Sequence, residues 1–97
     1  MQIQLKQFGE TLSSREAGKE AYTGFLSTLA ALGSTEIIEI DFTGLSSLSP
    51  SWGDEFLSPL AKKLGDHLIL LQTQNLSANA TLDLLEDIHG IKFNRIS

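Results

Sequence analysis

Ile37-Ile38-Glu39-Ile40-Asp41-Phe42-Thr43-Gly44 decides how the rest of the sequence is read. Residues 37–42 are rich in β-branched and aromatic side chains, and the glycine at 44 signals a turn, so the run predicts a strand that stops abruptly. Downstream, His67 to Thr73 carries Leu68, Ile69, Leu70 and Leu71 without alternation, the pattern of a central strand covered on both faces. Between the two strands, Trp52, Phe56, Leu57, Leu60, Ala61 and Leu64 recur at helical spacing. Lys62 and Lys63 precede the stop at Gly65, where the helix dipole favours cations. Pro59 inside that run predicts either a bend or a short irregular first half.

Upstream, Gln2 to Phe8 alternates polar and apolar residues, the mark of a strand with one wet face rather than of a signal peptide or a membrane span. Leu12-Ser13-Ser14-Arg15-Glu16 has capping-box spacing with Ser13 as N-cap, so a helix is expected to about Leu32. Its apolar stripe would be Ala17, Ala21, Tyr22, Phe25, Leu26 and Leu29, with Ala17, Ala21 and Gly24 forming a smooth strip for close packing on a sheet. Beyond the central strand, a third helix from about Ser77 to His89 would bury Leu82, Leu85 and Ile88, and Ile91 to Ile96 alternates as a last strand. The order is β-α-β-α-β-α-β. It predicts one α/β domain over residues 1–97, with three helices and a four-stranded sheet that is largely parallel or mixed.

The totals limit function. Twelve acidic against seven basic residues give a net charge of −5, which disfavours nucleic acid and anionic membranes as partners. No cysteine is present, so thiolate metal sites and cysteine nucleophiles are excluded, and a cytoplasmic setting is the simplest expectation. Asp41, Asp54, Glu55, His67 and His89 are the available ligands or acid-base groups, and none has metal-site or triad spacing. Phosphate-cradling glycine motifs are absent. Neither a cofactor nor a metal is expected, and the reading is of a non-enzymatic domain.

Residues 41–56, Asp41-Phe42-Thr43-Gly44-Leu45-Ser46-Ser47-Leu48-Ser49-Pro50-Ser51-Trp52-Gly53-Asp54-Glu55-Phe56, carry the most specific signal. A strand ending in Asp and an apolar residue leads through a short loop to a serine at a helix start. This resembles a STAS domain, of which bacterial anti-sigma factor antagonists are the type. It resembles still more the STAS-like family of unknown function, with its Asp-Phe, Ser-Pro-Ser-aromatic and Asp-Glu pattern. The likeness runs from about Thr11 to Thr73, and it departs from the usual STAS Asp-Ser-Ser-Gly at Ser49-Pro50-Ser51-Trp52.

The resemblance implies a regulatory protein-protein interaction module, with Ser51 as candidate phosphoacceptor. Its partner would be a histidine-kinase-type ATP-binding protein or an anti-sigma factor, met through Ser49, Ser51, Trp52, Asp54 and Glu55. From the residues alone, Ser49 before Pro50 and Ser51 before Asp54 are equally good N-caps. Ser51 therefore reads either as a structural cap or as a regulated site, and Trp52 either as packing or as a partner anchor. Asp83, Glu86 and Asp87 form an acidic patch that is either a solvated face or a surface for a basic partner. Two other classes stay open: a self-assembling module, with a homodimer as its simplest form, and a subunit of a composite enzyme site using Asp41, Asp54 or Glu55.

Overall fold

The structure is a computed structural model and describes residues 1–33 and 35–96. Four strands, β1 (Gln2–Gln4), β3 (Ile38–Asp41), β5 (Leu68–Leu71) and β6 (Arg95–Ile96), form one parallel sheet in the order β1-β3-β5-β6. Helices α1 (Arg15–Ala31), α2 (Pro50–Leu64) and α3 (Leu76–His89) make the three crossovers. A second, two-stranded parallel sheet joins β2 (Thr11–Leu12) to β4 (Ser47–Leu48). The expected α/β class, its three helices and its parallel four-stranded sheet are all present.

Because each crossover steps the sheet in the same direction, right-handed connections put every helix on one face. Ile3 pairs with Ile40 and Ile40 with Leu70, and with Ile38 and Leu68 they line that face at 2% exposure or less. The other face carries Gln2, Glu39 and Ile69 in one row, with Gln4 beside Asp41 and Leu71 beside Ile96 in the next. β5 is therefore buried on one face and only half-buried on the other, which corrects the expectation of a doubly covered strand.

The first strand ends at Gln4 rather than Phe8. Leu5 and Phe8 are needed on the same side, and a 3-10 turn over Leu5–Phe8 achieves this with its three-residue period. Phe8 then packs 5.8 Å from Trp52 and 5.1 Å from Phe56, centroid to centroid. Helix α1 is capped by Ser14, whose Oγ accepts from the Ala17 amide at 3.0 Å, not by Ser13.

Its buried stripe is Gly18, Phe25 and Leu29 with Ala21 and Tyr22 alongside, while Ala17, Gly24 and Leu26 face water. The close approach lies at Gly18, where a Cβ would stand 2.6 Å from the Trp52 carbonyl oxygen, and not at Gly24, which has open space around it. Thus α1 uses its small residue against α2 rather than against the sheet.

Helix α2 runs unbroken through Pro59. In α3, Leu82 and Leu85 are buried as expected, whereas Ile88 is 59% exposed. Ala78 and Thr81 complete the inner face of that helix. The last strand shortens to two residues because Phe93 turns into the core, and the Asn94 carbonyl meets the Leu70 amide at 2.8 Å. No helix among the described residues is long and apolar enough to cross a membrane.

Candidate functional site

The segment leading into α2 is fixed from both sides. Asp41 Oδ1 accepts from the Thr43 amide at 3.0 Å and the Thr43 hydroxyl at 2.7 Å, which closes a turn at the strand end and holds the Asp41 carboxyl below its ordinary range. Gly44 follows at φ 86°, with the Lys6 side chain over its Cα. On one side, the Ser46 amide donates to the Glu10 carbonyl and the Ser49 amide to that of Leu12, both at 2.8 Å. On the other, α3 binds both backbone groups of Leu48: the amide donates to Ser77 Oγ at 3.0 Å, and the carbonyl accepts from Thr81 Oγ1 at 2.8 Å. Asn75 caps α3 through Oδ1 and with Nδ2 reaches the Leu45 carbonyl at 3.0 Å.

Ser49 is the N-cap of α2. Its Oγ accepts from the Trp52 amide at 3.3 Å and donates to the Ser13 carbonyl at 2.8 Å, tying the starts of α1 and α2 together. Ser51 is thereby released from a capping role. It is the second residue of the helix, half-buried, and its hydroxyl makes no hydrogen bond among the described residues. Trp52 is 1% exposed and stacked on Phe56 at 5.0 Å, so it is a core residue and not a surface anchor, which corrects its expected place among the partner-contacting residues.

One turn further, Asp54 and Glu55 are half-buried and engaged. Arg15 Nη1 lies 3.2 Å from Asp54 Oδ2 and 2.5 Å from Glu55 Oε2, and His89 Nε2 lies 2.6 Å from Asp54 Oδ1. The His89 hydrogen bond does most to hold the Asp54 carboxyl below its ordinary range. Partial burial opposes this, and the Arg15 hydrogen bond adds to it. Ser58 stands a turn further along α2, buried at 3% exposure, and its Oγ has no hydrogen-bond partner among the described residues.

The result is a clasp joining all three helices. It is made from Asp54, Glu55 and His89, which the sequence marked, and from Arg15, which it did not. One signal was available: a cation in the first turn of a helix opposes the dipole unless a carboxylate faces it. His67 lies at the opposite end of the sheet, beside β5, and joins none of this. Among the described residues no three His, Cys, Asp or Glu side chains converge as a metal site.

The acidic patch is partly neutralised. Arg95 Nη2 pairs with Asp83 at 2.9 Å and Glu86 at 3.1 Å, and Glu86 also accepts from the Phe93 amide. Between the start of α2 and α3 runs an apolar groove walled by Ser47, Pro50, Ser77, Ala80 and Leu84. Comparison of the chain with protein-family models, curated proteins and solved structures finds no match.

Proposed function

We propose that the chain is a STAS-like, non-enzymatic interaction module of a bacterial cytoplasm, docking a protein partner through residues 48–55. The observation that carries the reading is the Ser49-Pro50-Ser51 helix start. Its backbone is strapped between Glu10, Leu12, Ser13 and α3, while Pro50 stands exposed at an apolar groove and the Ser51 hydroxyl makes no hydrogen bond among the described residues. A preorganised surface of this kind binds without an ordering cost. By resemblance the partner is a histidine-kinase-type ATP-binding protein or an anti-sigma factor.

Phosphorylation of Ser51 would act as the release switch. It adds about −1.5 to −2 charges one helical turn from Asp54 and Glu55. The phosphate oxygens would meet the first-turn amides of α2, so the helix would survive while the surface became more negative. Affinity capture from the source organism's lysate with wild type and Ser51→Asp tests both parts. Retention of an ATP-binding kinase-like protein by wild type alone is the expected result; retention by both forms removes the switch.

A second reading, self-assembly without a switch, draws on the uncovered sheet face, where Ile37 and Ile96 are 39% and 42% exposed. Sedimentation that gives the same monomer mass at every concentration removes it.

A further inference from the structure

We infer that the outer face of α3 is a docking ridge for a basic amphipathic helix of another protein. The inference rests on the reading of the chain as an interaction module and names the chemistry of its partner; it does not depend on modification of Ser51. Leu76, Ala80, Leu84 and Ile88 follow at intervals of four along α3, and all four are exposed, Leu76 at 85%, Leu84 at 43% and Ile88 at 59%. They form a continuous apolar row about 18 Å long, the span of 12 residues at 1.5 Å rise. Isolated exposed leucines need no explanation, but an aligned row bordering a groove marks an interaction surface.

The flanks select the occupant. On one side the row slopes into the groove beside Pro50, Ser47 and Ser77. On the other stand Asp83 and Asp87, each one residue before a ridge position and both exposed. Asp83 is 70% exposed even while Arg95 contacts it, and Asp87 makes no ion pair among the described residues. Asp87 lies in the last turn of α3, where the dipole disfavours an anion, so a cation arriving there relieves that repulsion.

A helix carrying an apolar i, i+4 face with Lys or Arg along one edge satisfies ridge, groove and acidic row together. A second copy of this chain fits less well. Antiparallel two-fold pairing of two α3 ridges brings both acidic rows onto the same side, in a chain whose net charge is already −5.

The test uses the full chain and two labelled synthetic 18-residue peptides. Both carry the same leucine face; one has lysines along one edge and the other has glutamates there. Fluorescence anisotropy should give saturable binding of the lysine peptide, weakened about tenfold or more by Leu84→Asp and by added salt, with the glutamate peptide unbound. Amide shifts in a two-dimensional NMR spectrum should cluster on α3 and Pro50. The inference is overturned if the lysine peptide fails to saturate, if both peptides bind alike, or if sedimentation yields a dimer that Leu84→Asp dissolves. The Ser51→Asp chain should bind the lysine peptide, so loss of the switch and loss of the ridge read out separately.

Discussion

The two faces of α3 are almost equally apolar, yet they do opposite things. Ala78, Thr81, Leu82 and Leu85 are sealed against α2 and the sheet, whereas Leu76, Ala80, Leu84 and Ile88 stand in water. Composition alone cannot separate them, since Leu84 and Leu85 are neighbours of the same type. The difference is made by Gly53 of α2, where a Cβ would come within 3.0 Å of Thr81 and 3.3 Å of Leu85. A glycine on the partner helix lets the inner face approach closely, and the outer face then has nothing left to pack on.

The contrast can be broken most sharply at the adjacent leucines. Leu85→Ala empties a fully buried site and should cost about 2–5 kcal/mol, while Leu84→Ala should stay within about 0.5 kcal/mol. Urea denaturation of the two variants measures the gap, and equal losses would mean that α3 is rotated from the orientation described. The next effect is on α1, which repeats the lesson with glycines. Gly18→Ala pushes a methyl into the Trp52 carbonyl oxygen and should cost about 1–3 kcal/mol, whereas Gly24→Ala meets no neighbour and should gain about 0.5–1 kcal/mol from helix propensity. Thermal melts with opposite shifts are the expected outcome.

A smaller effect sharpens what the inner face holds in place. Thr81→Val keeps the shape of the side chain but leaves the Leu48 carbonyl without its 2.8 Å donor. A loss of about 1–3 kcal/mol is expected from a buried acceptor left unpaired. Faster amide exchange at Ser47 and Leu48 would accompany it if α3 straps the start of α2, and unchanged exchange there would show that β2 alone holds the segment.

Much of this architecture was legible in the residues. Helical and strand periods gave the element order, and Gly65 marked the end of α2, where the structure has it at positive φ. What was not legible depends on who packs against whom. The capping-box spacing pointed to Ser13, but the chain turns helical only at Arg15, so Ser14 takes the cap position while the Ser13 carbonyl accepts from Ser49 Oγ. Ser49 and Ser51 had equal claims until the chain direction into Pro50 fixed one as cap and left the other without a hydroxyl hydrogen bond among the described residues. Arg15 lies 39 residues from Asp54, and Asp54 is 35 from His89, so no local pattern could join the clasp. Ile88 matched the apolar period of α3 but falls past the edge of the surface that α2 covers.

The clasp supplies the mildest test of the contrast, because His89 ends the inner face of α3 and Asp54 anchors it to α2. The Asp54 carboxyl is held below its ordinary value of 3.8, so the folded chain binds the proton more weakly than the unfolded chain does. That contribution is fully present above the unfolded value and drains away as pH falls through the lower folded one. Asp54→Asn keeps the side-chain shape but removes the charge seen by His89 and Arg15. Since the site is a quarter exposed, solvent screening limits the loss to about 1 kcal/mol near neutral pH. The deficit of the variant should shrink as pH falls below the ordinary value of 3.8, as the wild-type carboxyl protonates. Both should still weaken in acid, because Asp41 is depressed in the same direction by its turn to Thr43. A variant as stable as wild type at pH 7, or one whose deficit persists unchanged at pH 3, would mean that the inner face of α3 is held by packing alone.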